Sequence, residues 1–502
     1  MVTRRTVLKA TLALGAAAVF SGAIGGLSAF AQSTLRVRRS LHKMALDDPD
    51  LEAYRNFVGM MQSADQQKPV SWLQYSLMHG KYNGNYRYCP HGDWYFLPWH
   101  REFVMMYENA VIALTGKKDF AMPYWDWSID RVMPQAFTDQ SYKSKPNPLY
   151  VAGRTLNTKN WPLPDAWVAP DVLAKKVYAE TNFQLFGTSR NPNQNNLDMS
   201  WVVKGGGAQG FLESTPHNLI HNSIGAFMPT AGSPRDPIFM MHHSNIDRIW
   251  AVWNALGRSN TADMTPSDRN LWLNMNFKDN YLSPTGQLYG AYPRDLQDTK
   301  ALGYTYPGLP KPDNLLADPV RDARLLSLLA AGSTSDTLDV LRVLPAANKD
   351  AATLKAPLVK SVRFSASLQN QVMAQATESA TPSDAAEVFA IIRDMAVGPD
   401  VSSVRVFVNA PALSASTPQD SAHFAGEIGF LAHPDAEGEH AGHQKTPPSA
   451  LIELTDTVRD LAKRGLLTTD NISVQLVPVL REGAKDGAGA TIIPASIEIV
   501  VV

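Results

Sequence analysis

The run Thr215 to Trp250, TPHNLIHNSIGAFMPTAGSPRDPIFMMHHSNIDRIW, carries four of the chain's twelve histidines between apolar segments of helical spacing. His217 and His221 stand four apart, so on a helix they project from one face a turn apart. His243 and Asp247 repeat that spacing in the second segment. Between the segments lies a Pro/Gly-rich stretch, Met228-Pro229 to Asp236-Pro237, able to turn the chain back. Two antiparallel helices would then aim three imidazoles at one point. Three neutral imidazoles suit copper, zinc, iron or nickel, with the choice left to geometry and supply. A zinc-protease reading of His217 and His221 fails, because that chemistry needs Glu beside the first His and Asn218 stands there. The plainer reading of the cluster, core histidines serving buried hydrogen bonds, is the one adopted for His42 alone.

A second cluster lies upstream. His100 opens the amphipathic run REFVMMYENAVIAL, His79 ends the helix-like SWLQYSLMHG, and His91 sits on the connection between them. Two groups of three histidines, each anchored by a helix, imply two metals. The only cysteine, Cys89, is two residues from His91. It cannot form an intrachain disulfide, so it is either an inert buried thiol or part of the site; its neighbour favours the second.

These motifs resemble the tyrosinase, catechol oxidase and haemocyanin superfamily, which carries a dinuclear copper centre. The resemblance rests on His79, Cys89-x-His91 and His100, then His217-x-x-x-His221, then Asp236-Pro-Ile-Phe239 to His243-x-x-x-Asp247, with Pro123 to Ser128 (PYWDWS) in support. It implies one copper ion on His79, His91 and His100 and another on His217, His221 and His243, with O2 as co-substrate. It makes His243 the ligand and sets His242 behind it, and it implies a thioether between Cys89 and the His91 ring. Glu213 and Asn218 match the residues with which the family holds an activating water, which implies hydroxylation of monophenols as well as oxidation of o-diphenols. For Glu213 a helix-terminal carboxylate is the plainer alternative. Asp247 is expected to hydrogen-bond a ligand histidine or Arg248, Phe239 to pack on an imidazole, and the loop Gly225 to Ser233 to border the mouth.

Residues 1–31 read as a twin-arginine export signal: Thr3-Arg4-Arg5-Thr6-Val7-Leu8-Lys9, an Ala/Gly-rich apolar run, and Ala29-Phe30-Ala31 for cleavage. Export would place the protein in the periplasm or outside the cell, with no stable membrane anchor after cleavage. Loss of Arg4, Arg5 and Lys9 takes the formal net charge from −1 to −4. No basic stripe suggests nucleic acid. Residues 32–310 are expected to form a mainly α catalytic domain with a helix-bundle dicopper centre, interrupted by long loops such as Tyr142 to Gln209. Leu302-Gly-Tyr304-Thr-Tyr306 resembles the motif that closes this domain in plant polyphenol oxidases. A linker is expected over 311–356, with DARLLSLLAAGS docking as a short helix.

From 357 to 502 the period changes to short β-rich runs: SVRFSASL, VFAIIRDMAV, SVRVFVNA, HFAGEIGFLA, ALIELTDTV, ISVQLVPVL and ASIEIVVV. Their spacing points to a C-terminal β-sandwich domain, similar to the plant enzymes' domain that shields the site and keeps it latent. The loop with His433, His440 and His443 reads as solvated rather than as a transient copper site. The readings carried forward are a tyrosinase-like monooxygenase and oxidase of small phenols, a catechol or o-aminophenol oxidase, and, remotely, an O2 carrier. A copper-delivery protein and the oligomeric state stay open.

Overall fold

The computed structural model describes residues 35–502 except 82–86, 160, 193, 195, 198–206, 314, 316, 332–339, 344–349, 364–365, 374–385, 432–446, 468–470 and 485–488. The export signal and the His433 to His443 loop lie outside the described residues. Among those described, no helix is long and apolar enough to cross a membrane.

Five helices surround the histidines: Pro49–Ser63, Trp72–Leu77, Phe96–Thr115, Asn218–Ile224 and Ile238–Ala255. Asp48 caps the first by accepting the Asp50 N–H, with Pro49 at the first helical position. Gly116, at φ 76°, ends the third in the left-handed conformation that glycine adopts without strain. The Phe96–Thr115 and Ile238–Ala255 helices are buried on nearly every face, as central helices must be. Their charged residues therefore have to find partners inside.

Asp247 is the hub of that pairing. It accepts from Arg101, from Arg38 Nη1 at 3.0 Å, and from the Tyr304 and Tyr306 hydroxyls at 2.7 and 2.6 Å. Arg38 also reaches Glu108 at 2.8 Å, and its guanidinium lies 3.7 Å over the Tyr304 ring. The expected bond from Asp247 to a ligand histidine or Arg248 is thus corrected. Arg248 instead pairs with Asp126 at 3.0 Å, inside PYWDWS. Two buried guanidiniums closer to Asp247 claim its oxygens. The tyrosines arrive on a short parallel pairing of Tyr304–Thr305 with Arg36–Val37. Burial alone would raise the Asp247 carboxyl, but Arg101 and Arg38, with the Tyr306 hydroxyl, hold it below the usual carboxylate range.

The stretch read as loop from Tyr142 to Gln209 contains short helices at Thr155–Lys159, Asp165–Val168, Pro170–Leu173 and Phe183–Phe186. Each of the last three is anchored by buried apolar side chains such as Trp167, Leu173 and Phe186. His42, expected inside, is exposed in the turn Leu41–Lys43.

The C-terminal part is sheet-rich. One sheet runs Val340–Val343, Ser496–Val501, Val388–Arg393, Ser449–Glu453 and Ala208–Gln209; the other runs Leu358–Arg363, Asn471–Leu480, Val401–Val408 and Phe424–Gly429. Alternate residues Val388, Ala390 and Ile392 share a core with Val404, Val406 and Val408 of the other sheet. Phe389 and Ile391, on the opposite face, meet Leu325 and Leu328 of the Pro319–Ala331 helix. That coverage explains why the strand is apolar from Val388 to Ile392; Arg393, at its end, pairs with Glu498 at 2.9 Å. The stretch 311–356 thus supplies both a docked helix and a strand. Two strand readings are corrected at their ends. SASL leads into the helix Ala366–Met373, and TDTV opens the helix Thr455–Lys463, whose flank places Leu454, Val458 and Leu461 in the core at helical spacing.

Replacing Asp247 by Asn leaves two buried guanidiniums undercompensated, and should lower unfolding free energy by about 3–5 kcal/mol at neutral pH. Because the folded carboxyl is more acidic than the unfolded one, its contribution is present above the unfolded value of about 3.9 and is lost as pH falls through the folded value. Denaturant titrations should therefore show the gap between variant and unaltered protein closing below about pH 4. A neutral-pH gap under about 1 kcal/mol would contradict this account.

Candidate metal centre

His79 follows the Trp72–Leu77 helix, whose N-cap Ser71 accepts from Gln74 N. Its Nδ1 lies 3.0 Å from the Ala231 carbonyl, and its Nε2 3.4 Å from His100 Nε2. His100, within the Phe96–Thr115 helix, turns Nδ1 to the Phe96 carbonyl at 2.8 Å. His91 sits between the two on a loop. Some of its surface is exposed, but Nε2 is buried and has no hydrogen-bond partner. Cys89 Sγ is 3.2 Å from His91 Nδ1. Gly92 N donates to Glu213 at 2.8 Å, tying this loop to the second cluster's entry turn.

That entry turn, Glu213–His217, is broken at Thr215 (φ −149°, ψ 117°), because the residue before proline is driven out of the helical region. The Asn218–Ile224 helix follows and presents His221 one turn beyond His217. His243 Nε2 comes within 3.4 Å of His217 Nε2 and 3.2 Å of His221 Nε2. His221 Nδ1 meets the Met228 carbonyl at 2.7 Å, and His217 Nδ1 meets Asn218 Oδ1 at 2.8 Å. Main-chain and amide oxygens only accept, so each of these Nδ1 atoms carries the proton and leaves Nε2 as the lone pair. Phe239 stacks 4.1 Å from His243 and stands 5.0 Å from His79. His242 lies 5.3 Å from the His217 ring and 6.4 Å from Trp127.

The clusters abut, with His100 stacked 4.4 Å from His243 and His91 5.4 Å from His217. Burial, reinforced by neighbouring rings, pushes His91, His100, His217, His242 and His243 well below the ordinary imidazole value. Burial brings His221 to about 4. At neutral pH these are uncharged rings with free lone pairs, the form that binds metal. Two imidazoles bound tetrahedrally at about 2.0 Å from one ion would hold their nitrogens about 3.3 Å apart, which matches the 3.2–3.4 Å between these Nε2 atoms. Within each group, His79–Cys89–His91–His100 and His217–His221–His242–His243, the donor atoms lie within 4.8 Å of one another. The donor set fits a pair of transition-metal ions.

The family model for the common central domain of tyrosinase matches residues 69–256, which hold all seven histidines of the two groups; a domain of unknown function matches 342–492. A tyrosinase of Hahella sp. (strain CCB-MM4) is 26% identical over 492 residues, covering 88% of this chain and 95% of that one. The histidine-bearing part, residues 69–256, belongs to the tyrosinase family. The chloroplastic (+)-larreatricin hydroxylase of Larrea tridentata is 32% identical over 320 residues, covering 55% of this chain and 49% of that enzyme, so the match spans about half the plant relative. Latent apple tyrosinase shares the fold, with a TM-score of 0.62 at 23% identity over 94% of this chain and 98% of that one.

The family's histidine clusters can hold a dinuclear copper centre, and here several groups hold the histidines that no sequence motif announces. The carbonyls of Ala231 and Met228 orient one ring in each cluster; they belong to the loop read as bordering the mouth. Thr188 Oγ1 donates to Glu213, whose other oxygen is on Gly92 N. Asn218 holds His217 and also donates to Gly429 O at 3.0 Å. Main-chain carbonyls carry no residue signature, so spacing alone could not expose them. Titrating copper into metal-free, full-length protein should saturate at two ions per chain, and His100→Ala and His221→Ala should each lower that number. Undiminished stoichiometry in both variants would contradict the assignment.

Proposed function

We propose that this chain oxidises phenols with O2 at a dinuclear copper centre, hydroxylating monophenols to o-diphenols and oxidising o-diphenols to o-quinones. The observation that supports it is the abutment of the two clusters, His100 stacked on His243, which sets two three-imidazole sites side by side in a dry interior. In this reading His79, His91 and His100 hold one copper and His217, His221 and His243 the other. His243 is preferred to His242 because its Nε2 lies 3.4 Å from His217 Nε2 and 3.2 Å from His221 Nε2.

Bound copper would supply the electron exchange with O2. The chain's own residues orient, dry and deprotonate. Phe239 on His243 and Phe96, 4.7 Å from His217, fix the ring planes and exclude water. A free phenol has a pKa near 10, so its proton has to be taken as it binds. Glu213, buried beside the Gly92 and Thr188 donors, is the acceptor, acting with Asn218 through a held water. Cys89 Sγ, beside the His91 ring, forms the thioether that pins that imidazole. The two C-terminal sheets, built mainly from 357–502, form a sandwich that shields the catalytic domain, 32–310, and keeps it latent. A twin-arginine signal over 1–31 delivers the protein to the periplasm or beyond, where its substrate is a small phenol.

One observation favours a second reading. Both Glu213 oxygens already accept hydrogen bonds, as a structural tie would. The protein would then be a catechol oxidase or o-aminophenol oxidase on the same metals.

Initial rates on a monophenol and its matching diphenol, before and after cutting near Pro310, separate the two. Cutting should release monophenol hydroxylation, and Glu213→Gln should lower that rate about 100-fold with little change for the diphenol. Turnover of the diphenol alone in every form would overturn the monophenolase reading. Mass analysis of the peptide holding Cys89 and His91 should show the loss of two hydrogens that a thioether requires; an unmodified peptide from copper-loaded protein would refute that bond.

A further inference from the structure

Asn218 lies between His217 and the C-terminal sheets. Its Nδ2 donates to the Gly429 carbonyl at 3.0 Å, and its Oδ1 faces His217 Nδ1 at 2.8 Å. The direction of these bonds is forced. A main-chain carbonyl only accepts, so the atom facing Gly429 must be the amide nitrogen. The amide oxygen then faces His217, whose Nδ1 must carry the proton, which leaves the lone pair on Nε2 toward His243. The Nδ1 atoms of His79, His100 and His221 rest on carbonyls of Ala231, Phe96 and Met228, within the histidine-bearing part of the chain. His217 alone among these four is set from the sheets.

The approach that makes this bond is unusually close. A Cβ at residue 429 would lie 2.8 Å from Asn218 Cβ, 2.9 Å from Leu219 N and 3.0 Å from Asn218 C, so the Phe424–Gly429 strand reaches this helix only because 429 is glycine. Further ties flank it. Thr215 Oγ1 donates to Glu427 O. Asn222 Nδ2 donates to Ser402 O at 2.8 Å and Phe430 O at 3.1 Å, and Asn222 accepts from Arg481 at 3.1 Å. Residues 215, 218 and 222 thus meet main-chain carbonyls of the C-terminal sheets along one side of the entry turn and its helix.

The geometry points to Gly429 as a positioning residue for the second metal position: its carbonyl, by way of Asn218, holds His217 in the tautomer and orientation that a metal ion needs. The sheets are then a strut for the site as well as its cover, and removing them opens access while loosening one metal. This rests on the dicopper reading.

The test uses full-length, copper-loaded protein and the rate at which each ion passes to a chelator. Gly429→Ala should release one of the two ions about 10- to 100-fold faster, the other at an unchanged rate. Gly426→Ala, on the same strand, is the control, since its Cβ would meet only the Ile452 side chain at 3.4 Å and both ions should leave at unaltered rates. Both ions leaving Gly429→Ala at the original rate would overturn the proposal, as would equal acceleration of both, which a merely structural lesion would produce. If Gly429→Ala does not fold, Asn222→Ala carries the same comparison, with selective release supporting the strut and equal release refuting it. Unaltered protein that binds no copper overturns the dicopper reading and this one together; unaltered protein with two ions and unselective variants overturns this one alone.

Discussion

Buried imidazole lone pairs that face one another stabilise nothing by themselves, since an unpaired buried acceptor costs about 1–3 kcal/mol. Six of them converge here, and the surrounding structure is arranged to hold them apart from water and in fixed planes. Four donate Nδ1–H to an oxygen and so keep Nε2 inward. Phe96 and Phe239 fill the space between rings. A pair of metal ions would satisfy the inward nitrogens, and their binding energy would then contribute directly to folding.

The charges behind this site serve the same end. Asp247 stands one turn beyond His243 and binds Arg38, Arg101, Tyr304 and Tyr306. It thereby joins the beginning of the described chain, the two buried helices and the tyrosine pair near the end of the helical part. A buried carboxylate between two guanidiniums is costly to break and modest in net worth. Its effect is to fix the register of the Ile238–Ala255 helix against Phe96–Thr115, and so of His243 against His100. Thr215, Asn218 and Asn222 do the corresponding work on the other side, against carbonyls of the sheets.

Much of this was legible in the residues. Histidines four apart in apolar helical runs give their faces directly, and the change from helical to alternating period marks the passage from the histidine-bearing helices to the sheets. The limits are equally specific. A lone Arg38 far from the motifs gives no sign that it pairs with Asp247, so the nearer Arg248 was the natural choice. TDTV continues a strand in composition, and only the spacing of Leu454, Val458 and Leu461 shows the helix. Ala208–Gln209 joins the C-terminal sheet by two residues, too few for any pattern. Carbonyl partners such as Ala231, Met228 and Gly429 depend on tertiary placement and leave no trace in residue type.

The central claim is that the two clusters hold ions close enough to act as one unit. Electron paramagnetic resonance of the oxidised, fully copper-loaded protein tests it most directly. Two adjacent cupric ions with coupled spins should give almost no signal despite two coppers per chain by metal analysis. A signal integrating to two spins per chain would mean that the ions sit apart, and would contradict the account.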